Sequence, residues 1–78
     1  NKMNIENFIS EFKSQLEDES IEVTPQTNYV NAKFWDSLTN MVVVVMLEDN
    51  YKINVSSKEL NKFSSVQELF DFVKSQQK

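Results

Sequence analysis

Ser37 stands in the tripeptide Asp36-Ser37-Leu38, just ahead of the apolar run Met41-Val42-Val43-Val44-Val45-Met46-Leu47. Asp and Ser are good helix N-cap types, because a side-chain oxygen there accepts an amide proton that the first helical turn leaves unpaired. Taken alone, the tripeptide reads as a cap. The 78-residue chain gives Ser37 nothing with which to act as a catalytic nucleophile. It has no His and no Cys, which removes His-based triads, thiol nucleophiles, zinc motifs and disulfides. The paired acids Glu48 and Asp49 are neighbours on a predicted helix and point roughly 100° apart, unsuited to shared acid–base work. They read as a solvated helix end. The chain also lacks Gly, where an average usage of ~7% would supply about five, so P-loops and dinucleotide fingerprints cannot be built. The residue inventory therefore points away from an enzyme, with no catalytic residue and no resident metal expected.

Five apolar residues, Ile5, Phe8, Ile9, Phe12 and Leu16, fall on one stripe of a helix expected over about 4–17, with Glu6, Glu11, Lys13 and Glu17 opposite. The acidic run Glu17-Asp18-Glu19 disfavours continuation at the negative end of the helix dipole. From Ser20 to Trp35 no stripe persists and Pro25, Asn28 and Asn31 punctuate the chain, so a long loop is expected. Ile21, Val23, Tyr29, Val30, Phe34 and Trp35 give that loop enough apolar surface to lie on the core.

The valine run has high β propensity, but no second strong strand is available to satisfy its backbone. Asp36 and Ser37 before it and Asn50 after it favour a helix over about 37–50. Two capping-box patterns, Ser56-x-x-Glu59 and Ser65-x-x-Glu68, open a short helix at about 57–62 and a closing one at about 65–76. The expected fold is all-α: a small antiparallel four-helix bundle of three longer helices and one short one, with a long loop between the first two.

Leu, Ile, Val and Phe make up 24 of the 78 residues, enough for one core, and the length suits a single domain over 1–78. The formal charge of −4 and the absence of Arg argue against nucleic acid and anionic membranes and favour a partner with a basic face. No apolar run reaches the ~18 residues of a membrane span, and Asn1-Lys2-Met3-Asn4 lacks the apolar region of a signal peptide. A monomeric cytoplasmic protein is expected.

The order of long helix, long loop, Asp36-Ser37-Leu38, apolar second helix, short third helix and closing helix resembles the acyl carrier proteins. Phe34-Trp35, the run Met41 to Leu47, Glu48-Asp49-Asn50-Tyr51, Ile53-Asn54-Val55 and Phe63-Ser64-Ser65-Val66-Gln67-Glu68-Leu69 carry the resemblance. It implies that Ser37 holds a covalent 4′-phosphopantetheine delivered from coenzyme A by a phosphopantetheinyl transferase. The arm's thiol would carry acyl groups as thioesters to acyl-transferring and synthase enzymes. A phosphodiester at a helix N-terminus sits in a favourable field, and a borrowed thiol explains how a chain without Cys could serve thiol chemistry. The resemblance further implies that Asp36 contributes to transferase recognition, and that Leu38, Met41, Glu48 and Asp49 contact partners. Val44, Leu47, Leu60, Phe63 and Leu69 would line an acyl pocket, in which bulky Leu60 and Phe63 leave little room for a long chain.

Two features depart from the family pattern. Thr39, Asn40 and Val42 occupy stretches that are often acidic, so electrostatic steering should be weaker and an apolar docking patch is an alternative. Trp35 adds a large aromatic before Asp36, expected to anchor the loop. Fatty-acid, polyketide or a related specialised acyl pathway fits better than a peptidyl or aminoacyl carrier. Those commonly place glycine ahead of the serine, where Lys33-Phe34-Trp35 stands here. The reading from another class is a helical protein–protein interaction module without a prosthetic group.

Overall fold

Asn4, Asp36, Ser56 and Ser65 each take up extended backbone and accept, through a side-chain oxygen, the N–H three residues on, at 2.8 to 3.1 Å. Each therefore opens a helix. In the computed structural model, which describes residues 3–18 and 20–77, these are α1 (Ile5–Lys13), α2 (Ser37–Tyr51), α3 (Ser57–Leu60) and α4 (Val66–Ser75). A single 3₁₀ turn, Tyr29–Asn31, interrupts the long connection between α1 and α2. No strand occurs among the described residues. The valine run is helical because burial outweighs its modest propensity penalty: Val43, Met46 and Leu47 point into the core.

Most boundaries fall within one residue of expectation, and the ends of the first and third helices depart further. The first helix ends at Lys13 rather than near Glu17. Ser14 Oγ and Gln15 Nε2 both donate to the Glu11 carbonyl, and the amides of Gln15 and Leu16 reach back only three residues, to Phe12 and Lys13. Leu16 still reaches the core through this tighter turn. Of the acidic run invoked as the stop signal, Glu19 lies outside the described residues, as do Asn1 and Lys2. The second helix ends not at Asn50 but after Tyr51, where Lys52 adopts φ 60° and donates its amide to the Glu48 carbonyl at 3.0 Å. A left-handed residue closes many helices, usually Gly, and this chain has none to offer. The short helix stops at Leu60, two residues before the expected end.

Both caps in the last third form, with one variation. At α3 the Glu59 carboxylate accepts the Ser56 amide at 3.0 Å, completing a capping box. At α4 the Glu68 carboxylate reaches one residue further back and accepts the Ser64 amide at 2.7 Å.

One core unites the four helices. Phe8 and Phe12 of α1, Val43 and Leu47 of α2, Leu60 of α3, and Val66, Leu69 and Val73 of α4 are fully buried. The long connection lies on this core as expected. Tyr29 is fully buried, its hydroxyl donates to the Leu60 carbonyl at 2.5 Å, and its ring meets those of Phe12 and Trp35 edge-on at 5.4 and 4.6 Å. Backbone bonds from Val66 to Thr27 and from Gln67 to Pro25 tie the same segment to the start of α4. Glu11, expected opposite the apolar stripe of α1, is instead half-buried at its edge and accepts the hydroxyl of Tyr51, whose ring packs 5.6 Å from Phe8, closing α1 onto the end of α2.

Candidate functional site

Asp36, not Ser37, caps α2. Its Oδ1 accepts the Thr39 amide at 2.8 Å while its own carbonyl accepts the Asn40 amide at 2.9 Å. The Thr39 N–H is the first cause holding the Asp36 carboxyl below its ordinary range, so it is ionised at neutral pH. Ser37 follows as the first helical residue and is exposed, its hydroxyl relieved of the capping role. The first turn of α2 carries no acidic residue of its own. A hydroxyl here sits at the positive end of a fifteen-residue helix, where a phosphodiester on it would be stabilised. The residues present fit such a group: an open attachment atom, a favourable dipole and Lys33 on the rim of the groove described below.

What precedes Ser37 is held firmly. The Thr39 hydroxyl donates to the Phe34 carbonyl at 3.2 Å. Trp35 stacks at 6.1 Å on Phe12 and donates its indole N–H to Asn61 Oδ1 at 2.7 Å, acting as the expected loop anchor. Asn61 Oδ1 also accepts from Asn40 Nδ2 at 3.0 Å, and Asn40 Nδ2 donates in turn to the Ser57 carbonyl at 3.1 Å. This network stitches the approach to Ser37, the face of α2 and the short α3 together. Asn40, which the sequence places in a stretch that is often acidic and offered to partners, is instead a buried polar residue. Its Oδ1 is buried without a hydrogen-bond partner among the described residues.

The remaining site residues separate into two groups. Leu38, Met41 and Val45 are large apolar side chains left 58%, 55% and 48% exposed, at spacings of three and four that place them along one face of α2. Glu48 and Asp49 are exposed near its far end. By contrast Leu47, Leu60 and Leu69 are fully buried, while Val44 and Phe63 are half-buried against them, with the Phe63 ring 5.3 Å from Phe72. The three leucines belong to the core, and Val44 and Phe63 stand at its edge.

Two open grooves lie along α2. A groove of about 640 Å³ begins beside Ser37, floored by Leu16, Ile21, Phe34, Leu38 and Val42 and rimmed by Gln15, Glu17, Asp18, Lys33, Asp36 and Thr39. A shallower one of about 310 Å³ continues past Met41, Val42, Val45 and Met46 to Asp49 and Asn50, sharing Gln15 and Val42 with the first. Sequence reasoning misses both. The only hint is that Ile21 and Phe34 are apolar residues in an otherwise polar connection, and they serve a groove as readily as a core. No helix is long and apolar enough to cross a membrane, and no three acidic residues gather as a metal site would require, both among the described residues.

Comparison with known proteins bears on this arrangement. Residues 8–73 match the family described as "Phosphopantetheine attachment site". A protein named "Acyl carrier protein" from Syntrophus aciditrophicus (strain SB) is 28% identical over 69 residues, covering 88% of this chain and 86% of that protein. No solved structure matches.

Proposed function

The chain belongs to the phosphopantetheine-attachment family of acyl carrier proteins, and from that premise we propose that Ser37 is its attachment residue. The observation that carries this assignment is the division of labour at the start of α2: Asp36 caps the helix, and Ser37 presents a free, exposed hydroxyl at its positive end. In loading, Ser37 Oγ forms a bond to the phosphorus of coenzyme A's pantetheine phosphate. The P–O bond to the adenosine bisphosphate half breaks, and the serine proton passes to the phosphopantetheinyl transferase. Asp36, ionised and exposed beside the hydroxyl, is placed for recognition by that enzyme. The attached group supplies the thiol on which acyl intermediates ride as thioesters; the chain itself supplies the anchor and the surface.

Partner enzymes meet that surface on α2. Leu38 and Met41, with Val45 behind them, support an apolar docking face, and Glu48 and Asp49 add charge at its far end. Because the first turn of α2 has no acidic residue, association depends less on long-range steering than on apolar contact, as suits a dedicated carrier in a specialised fatty-acid or polyketide pathway. Incubating the chain with coenzyme A and a broad-specificity transferase should raise its intact mass by one phosphopantetheine unit, and Ser37→Ala should abolish the gain. An unmodified wild-type chain, or a modified S37A, overturns the assignment.

A further inference from the structure

We infer that the trough along α2, formed by the two grooves that share Gln15 and Val42, is the binding site for a straight-chain acyl group tethered through Ser37. The inference rests on the attachment assigned above. The trough starts at Asp36 and Leu38, the two residues that flank Ser37, and ends at Asn50. At ~1.5 Å rise per residue this is roughly 20 Å along the helix. Its first part, of about 640 Å³, lies within the ~300–1,000 Å³ of small-molecule sites. The chemistry changes along its length. Near Ser37 the rim carries Gln15, Glu17, Asp18, Lys33, Asp36 and Thr39, polar groups able to bond the amides and hydroxyl of a pantetheine arm. Further on, Met41, Val42, Val45 and Met46 offer a mostly apolar wall, joined by Gln15, until Asp49 and Asn50 close it.

The opposite side of α2 is closed at its centre, with Val44 and Phe63 half-buried at its edge. Asn40, Asn61, Trp35 and Ser57 lock α2 to α3 through three hydrogen bonds of 2.7 to 3.1 Å. Behind that seam Leu47, Leu60 and Leu69 expose nothing, and neither groove reaches them. A chain entering there must break the network and part a filled core, whereas the trough already shows apolar surface to solvent. Covering that surface gives the cargo its affinity. A fully buried methylene is worth roughly fourfold in an equilibrium constant, and one shielded on a single side about twofold.

The test compares chains loaded at Ser37 with octanoyl and acetyl arms through a hydrolysis-resistant amide, loading being verified by intact mass. Amide chemical shifts are the readout. The octanoyl-minus-acetyl differences are expected at Gln15, Ile21, Val42 and Val45. They should fall at least fivefold in V42E, which sets a carboxylate where the two grooves meet, and in I21N, which alters the opposite wall, both with wild-type circular dichroism. Differences centred on Leu47, Leu60 and Leu69, or unchanged by both variants, overturn the proposal while leaving Ser37 attachment intact. If mass shows no loading, the attachment fails, and the trough is judged on unmodified protein titrated with free octanoyl-pantetheine. Saturating shifts at the same four amides support it, and none up to the solubility limit overturns it.

Discussion

Replacing Tyr29 by Phe isolates one of the contacts that hold the long connection, and with it one wall of the trough, against the bundle. The Tyr29 ring has no exposed surface, and its hydroxyl donates to the Leu60 carbonyl at 2.5 Å. Phe keeps the ring contacts with Phe12 and Trp35 and removes only the donor. Leaving a buried carbonyl without its partner costs about 1–3 kcal/mol. For a domain of this size each kcal/mol moves Tm by ~4–8 °C, so a central cost of about 2 kcal/mol lowers Tm by roughly 8–16 °C. Tyr29→Ala also removes the ring, adding about 3–5 kcal/mol. Total stability at ~0.05–0.15 kcal/mol per residue is only about 4–12 kcal/mol, so this variant should lose most of its stability. Urea denaturation followed by fluorescence suits the question, because Trp35 is the single tryptophan and lies 4.6 Å from the Tyr29 ring. The expected result for Tyr29→Phe is a lower midpoint with an unchanged slope. A Tm within about 2 °C of wild type would mean that water replaces the hydroxyl and that the hydrogen bond does not pin the loop.

Further expectations follow from caps and titrating groups. Ser65→Ala removes the acceptor for the Glu68 amide and should cost about 1 kcal/mol in urea denaturation, a cost absent if α4 is held by packing alone. Lys52→Gly should raise stability by roughly 0.5–1 kcal/mol by relieving a side chain at φ 60°, net of the extra freedom of the unfolded chain; a lowered urea midpoint would contradict this. Burial first, and then Glu68 for Tyr29 and Glu11 for Tyr51, push both phenols upward. The unfolded chain therefore releases these protons first: the stabilisation is whole below about pH 10 and is lost as pH rises beyond it. Tyr51→Phe should flatten that alkaline limb, and an unchanged limb would sink the assignment. Asp36 and Glu59 are held low by the amides they cap, so their contribution is present above about pH 4 and disappears as pH falls through their lowered folded values. Glu59→Gln should shrink the acid limb in a pH series of Tm.

Much of the molecule follows from local chemistry that can be read residue by residue. Ser56, Ser65 and Asp36 accept the amides that their types and spacings forecast, and the apolar stripes of α1 and α4 face the core. Ser37 could be located beside a helix start for the same reason: capping is settled within four residues. The inventory of side chains, with neither His nor Cys nor Gly, excludes whole classes of catalysis before any coordinate is known.

Other features required the packed chain. Helix α1 stops at Lys13 because Ser14 and Gln15 compete for the Glu11 carbonyl, a choice periodicity does not reveal when Leu16 remains buried either way. The valine-rich segment is apolar all round, so nothing local distinguishes Val43, which faces the core, from Val45, which faces outward. That distinction belongs to where α1, α3 and the connection happen to lie. The trough depends on the same arrangement. Ile21 and Phe34 come opposite Val42 only after Tyr29 and Trp35 have folded the connection onto the bundle, because a groove is a property of distant surfaces brought face to face, and no single stretch of sequence contains both of its walls.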